Sequence, residues 1–516
     1  MGQTEIFASA AVTAPHGAAT QSGQTILAMG GTAVEAMVAM AATLSVAYPH
    51  LSGLGGDGIW LVREPKGRIL SFEASGLAAK AASADPLRKL GHVTMPRHGL
   101  AATLTVPGAV SGWQLALDYA RATGGRLPLS DLLRDAISLA RQGAAVSPSQ
   151  NRQRAPIEAP GFATLFLEAG EWPKDDAIRR YEKLADVLEQ LAHAGLRDFY
   201  DGDVAREIGA DCEALRHLLT REDFAKQEAK VREPLALKIA GRSHYAPASS
   251  TQGLAALLLL GIYERKAIKR CDSADHLHVL IEASKRAHKL RDALCVDPAF
   301  ADHRAADLLA SPLMERESEA VDMARAASWP APTSALDGVF MSASDARGFV
   351  VAYSQSIGTP YGSGCVLPRT GVLLNNHAAH FSLDPSSPQL LQARKRPLQK
   401  LSPALCVFDD GRVLAYGSMS GDAQPAAQAQ IASRIALGMD LAEAITAPRF
   451  HAHNGSLDLE EGLDPTVLRE LSKRGHEISE VARSETFGHA GALLRDTKGR
   501  IAAAHDPRGD GGVLGL

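Results

Sequence analysis

The chain has 516 residues and a mass of 54.5 kDa, enough for one large or two ordinary domains with an ample core. A formal net charge of −4 and a pI near 6.5 give no electrostatic case for a nucleic-acid or acidic-membrane partner. No basic segment followed by a long apolar run opens the sequence. Its longest apolar stretch, 33–47, contains Glu35 and is too short to cross a bilayer, and the five cysteines form no CxxC pair. These features predict a cytoplasmic protein with reduced thiols.

In chain order, small and apolar residues at 24–47 predict two helical segments divided by Gly30-Gly31, the second buried on most sides and stopped by Pro49. Gly53-Leu54-Gly55-Gly56-Asp57-Gly58 follows and leads into a strand at 59–63. This order is wrong for a phosphate loop, so the glycines are read as close backbone packing. Residues 69–73 read as the partner strand. Val106-Pro107-Gly108 marks a helix entry, and amphipathic helices fill 129–221, one of them at 181–194 and stopped by Gly195. Ser249 or Ser250 is the expected cap of an apolar helix at 254–263. A long helix at 275–292 carries His276, His278 and His288, in a pattern that is not HExxH and that puts the first two on different faces. Residues 301–332, polar and alanine-rich, read as a linker.

Two alternating apolar runs, 339–344 and 349–356, flank a turn at Asp345–Gly348 and predict a β-hairpin. Gly362-Ser363-Gly364 and Leu374-Asn375-Asn376 follow. A second hairpin is expected at 404–408 and 413–418, then Met419-Ser420-Gly421-Asp422 before a helix, and a strand pair near Gly488-His489-Ala490-Gly491.

These blocks, in this order, resemble the γ-glutamyltransferase family of N-terminal-nucleophile hydrolases over nearly the whole chain. The resemblance implies an α+β fold, a four-layer αββα sandwich, with a large-subunit-like region (1–337) and a small-subunit-like region (338–516) in one compact body. It also implies self-cleavage before a threonine whose hydroxyl then attacks an amide while its own α-amine takes the proton. Here that position is Gly338, which has no nucleophile, so an uncut and inactive chain is expected. Ser342, four residues on with the same strand parity, is a weaker alternative for the nucleophile. The resemblance assigns the second hydroxyl to Ser356, with Ser354 less favoured, and the oxyanion hole to Ser420 and Gly421.

Residues that would grip a γ-glutamyl group are replaced. The family's Phe-Arg-Glu is Ser71-Phe72-Glu73, His380 stands where an aspartate holds the ammonium, and Gln399-Lys400 replaces a serine pair. The details are closer to the oxamate amidohydrolase-like branch, which implies a small carboxylated amide as substrate, with Arg97 as its cation and His380, Asp422 and His489 as further pocket residues. That chemistry needs no metal and no organic cofactor. A homo-oligomer is compatible with the sequence, as is a non-catalytic homologue that binds a ligand or partner subunit.

Overall fold

The computed structural model describes residues 3–248, 250–329, 337–453 and 456–516. Two seven-stranded sheets form its centre. One contains, in spatial order, the strands Glu5–Phe7, Ile501–His505, Ala490–Arg495, Val413–Ser418, Ala404–Phe408, Arg242–Ala246 and Leu235–Ile239. The other runs Gly512–Gly515, Ala11–Ala14, Val339–Ser344, Val350–Ser356, Asp57–Arg63, Ile69–Ala74 and Lys230–Arg232. All pairings in both sheets are antiparallel. Each sheet draws strands from both sides of position 338, so neither region completes a sheet alone.

The sheets meet through a thin apolar layer that includes Leu61, Phe340, Ala352, Leu405, Ala415 and Leu493. Their outer faces are covered by helices. Gly17–Ala28, Ala33–Ala47, Ala109–Ala122 and Leu129–Gln142 lie over the sheet that holds the 339–356 hairpin, and Gly253–Glu264, Ala274–Leu294 and Gln424–Ala436 lie over the other. The result is the α+β, four-layer αββα arrangement, with a thick core on each outer face.

Local chemistry explains the elements that position the site. Helix Ala33–Ala47 is buried along its whole length. Its one acid, Glu35, closes a capping box with Thr32 and accepts the Leu127 amide at 2.9 Å. Gly55 and Gly56 make the close approach expected of them. A Cβ there would lie 2.0 Å from the Leu373 carbonyl oxygen and 2.1 Å from that of Ser356.

Two expectations need correction. Residues 301–332 are not structureless: Ala305–Ala310 and Leu313–Glu319 are helices that bury Leu309, Leu313 and Met314. Three apolar contacts outweigh the polar composition of that stretch. The helix Gly253–Glu264 begins at Gln252 with no side-chain cap, and the Ser250 carbonyl instead accepts the Gln399 amide at 2.6 Å. Ser249, Ala335, Leu336 and the region around Thr333 and Ser334 lie outside the described residues.

Candidate active site

The hairpin predicted at the junction is present, with Val339 opposite Gln355 and Phe340 opposite Ser354. Position 338 lies just before the first strand, beside Ser356 at the end of the second. Gly338 has φ +75°, and a Cβ on it would lie 2.7 Å from Leu401 Cδ2, 3.0 Å from the Gln355 carbonyl oxygen and 3.1 Å from Ser356 Cβ. Such a φ is strained for any residue with a side chain, most of all a β-branched one. The backbone that glycine adopts here is therefore one that a threonine does not take without moving.

Asp337, on the other side of the same peptide bond, is 1% exposed. Its carbonyl oxygen accepts Gln424 Nε2 at 3.2 Å, and it forms a parallel bridge with Ser420. Its carboxylate Oδ1 accepts the Ser356 hydroxyl. Its Oδ2 is 3.7 Å from His380 Nε2 and has no hydrogen-bond donor among the described residues. Ser356 also receives the Gly358 amide at 2.7 Å on its hydroxyl oxygen. Ser354 is buried one pleat away, and Ser342 is buried in mid-strand opposite Ala352.

Beside this junction opens a cleft of about 760 Å³ lined by Arg97, Arg291, Asp292, His380, Lys400 and Asp422, with apolar walls from Met95, Phe381 and Leu398. Arg97 is exposed on its rim, and its carbonyl oxygen is held by Asn376 Nδ2 at 2.8 Å. Asp422 is clamped by Arg291 Nη1 at 2.6 Å and Lys400 Nζ at 3.1 Å. Burial, reinforced by Lys400 and His377, pushes the His380 imidazole well below its usual range, so it stays neutral at pH 7. The neighbouring His377 has Nε2 3.2 Å from the Ser356 carbonyl oxygen and 3.7 Å from Asp57. Burial raises the Asp57 carboxyl above its ordinary value, against donors that include Gly76, Gly108 and Gln399.

Gly421 has φ +53°, and its carbonyl oxygen accepts Gln252 Nε2 at 2.8 Å. The Ser420 hydroxyl is occupied by the Phe487 carbonyl at 3.0 Å and Ser418 at 3.1 Å. The structure thus brings Gly338, Ser356, Ser420, Gly421, Asp422 and His380 into one region, with Arg97 on the cleft rim. The His489 side chain faces elsewhere. Its ring packs against Tyr48 and His505, and burial aided by His505 lowers its pKa to about 3.

Sequence reasoning did not single out Asp337, His377, Gln424 or Arg291 as site residues. Asp337 had a usable signal, since it is the residue directly before the junction. Arg291 had none: it meets Asp422 across 131 positions of sequence.

Comparison with known proteins agrees with the fold and the order of the blocks. The sequence description "Gamma-glutamyltranspeptidase" matches residues 19–516. Among curated relatives, the oxamate amidohydrolase proenzyme of Klebsiella pneumoniae is 39% identical, with 97% of each chain covered. The glutathione hydrolase-like YwrD proenzyme of Bacillus subtilis is 31% identical, with 100% of each covered. Among solved structures, the cephalosporin acylase from Bacillus halodurans superposes with a TM-score of 0.91 at 28% identity, covering 99% of this chain and 96% of that one.

Proposed function

The chain belongs to the gamma-glutamyltranspeptidase family, and from that premise we propose that it is an amidohydrolase scaffold for a small carboxylated amide of the oxamate type, not for γ-glutamyl transfer. Its self-processing position is Gly338, so the form described is uncut and inactive as an N-terminal-nucleophile hydrolase. The observation that carries this reading is the junction itself. Ser356 and the Ser420–Gly421 turn flank a residue with no hydroxyl. A small acidic amide is supported by Arg97 on the cleft rim and by the 39% identity to a relative named for oxamate. The five cysteines are free, which is in keeping with a cytoplasmic setting.

One observation favours a second reading, a non-catalytic homologue that binds a ligand or partner subunit. The backbone at 338 has settled into a conformation that excludes a side chain. Intact mass and oxamate turnover, measured on the glycine form and on Gly338→Thr, separate the two. The glycine form is expected to run as a single full-length chain, and the threonine form to split before residue 338 and release ammonia from oxamate. Two fragments from the glycine form would overturn the uncut state. Two unsplit, inert proteins would leave the ligand-binding reading in possession.

A further inference from the structure

Three groups of metal-ligating side chains among the described residues bring their donor atoms within 4.8 Å of one another: Cys271–Asp272–His276, His278–Glu282–His476 and Asp337–His377–His380. In the first two, a cation already holds the carboxylate. Arg434 Nε lies 2.9 Å from Asp272 Oδ1, and Lys285 Nζ lies 2.6 Å from Glu282 Oε1. A metal ion there would have to displace a charge-assisted hydrogen bond.

The third group differs in each respect. Asp337 is 1% exposed, yet no lysine or arginine among the described residues is paired with it. One carboxylate oxygen takes the Ser356 hydroxyl, and the other has no donor among the described residues. An anionic oxygen removed from water without a partner is among the more expensive things a fold can contain. The nearest basic atom, His380 Nε2 at 3.7 Å, is too far for a hydrogen bond and leaves room between the two. His377 has one nitrogen directed at the Ser356 carbonyl and at Asp57, while its Nδ1 has no partner.

We propose that Asp337, His377 and His380 form a binding site for a divalent transition-metal ion, with Zn²⁺ the best match to the donors. Two imidazoles and one carboxylate are a donor set that such ions favour, and three protein ligands leave a coordination position for water or a ligand oxygen. The partner of His377 Nε2 is one expected around a ligating histidine, a backbone carbonyl that fixes its tautomer and frees the other nitrogen. His380 is also a wall residue of the cleft that holds Arg97 and Lys400, which gives the ion a route in. The ion would neutralise the orphaned Asp337 oxygen. It would also place a Lewis acid one residue from the position where the family carries a hydroxyl. A carboxylated amide entering the cleft would then have an oxygen ligand site beside its cations.

Full-length protein is stripped with a chelator, dialysed and titrated with Co²⁺ and Zn²⁺, following visible absorption for cobalt and bound metal by elemental analysis. The expected result is a single ion per chain with a visible cobalt spectrum, weakened roughly tenfold or more by Asp337→Asn and by His380→Ala. His476→Ala, in the competing cluster, should leave it unchanged. Failure of the wild-type protein to retain stoichiometric metal overturns the site, and needs no variant to be folded. Loss of metal in His476→Ala but not in Asp337→Asn overturns it as well. Neither chain cleavage nor amide turnover enters this measurement, so its outcome is independent of the hydrolase reading.

Discussion

Asp506 and Asp337 are both 1% exposed, but the fold treats them in opposite ways. Asp506 accepts Arg449 Nη2 at 2.5 Å, Arg508 Nη1 at 2.9 Å and two backbone amides, and Arg508 in turn holds Glu460. Burial alone would raise the Asp506 carboxyl. The two guanidiniums override it and hold the group down to about 2. Asp337 has one hydroxyl and an unpartnered oxygen. A buried charge that is fully paired is part of the framework, whereas one left short of partners belongs to a site.

The largest effect should come from breaking the paired case. Arg449→Met leaves Asp506 and Glu460 sharing Arg508, and should cost about 3–5 kcal/mol in urea unfolding at pH 7. The sign of the pH dependence follows from the depressed carboxyl. Its stabilisation is complete above the ordinary value of 3.8 and is lost as pH falls through about 2, so the penalty of the variant should shrink in acid. A penalty below about 1 kcal/mol would remove the framework role.

A middle effect is expected at the junction. Gly338→Ala forces a side chain into φ +75° and against Leu401, and should destabilise by about 1–3 kcal/mol by the same measurement. An alanine variant as stable as the parent would mean that the backbone moves there without penalty.

The smallest effect sharpens the contrast. Asp337→Asn removes a buried charge that has no cation, so metal-free protein should change by less than about 1 kcal/mol, with any change toward greater stability. A loss above about 2 kcal/mol would show that Asp337 is held by its surroundings after all.

Much of the fold was readable from the chain. The two apolar runs at 339–344 and 349–356, on either side of the turn at Asp345–Gly348, placed the junction hairpin, and Pro49 with the apolar run before it placed the buried helix. Glu35 was legible only as an interruption of that run, yet it closes the Thr32 capping box that starts the helix. The two short helices within 305–319 were hidden because their few apolar residues are diluted by polar and alanine neighbours. Gly338, Ser356 and the Ser420–Gly421 turn came from motif order. Asp337 with His377 and His380, or Arg291 with Asp422, are meetings across the tertiary structure that no local spacing encodes. The left-handed backbone at Gly338 was equally invisible, since a missing hydroxyl is a property of composition and a positive φ is not.

The interleaving of the two regions has a consequence for how such a chain changes over time. Each sheet is woven from segments on both sides of position 338, so a nick there would separate nothing, and an unbroken peptide bond there removes no strand from either sheet. Stability is thereby uncoupled from maturation. A lineage can lose the self-cutting residue in one step and keep an intact, well-packed body, whose cavity then remains available for selection to furnish with other ligands.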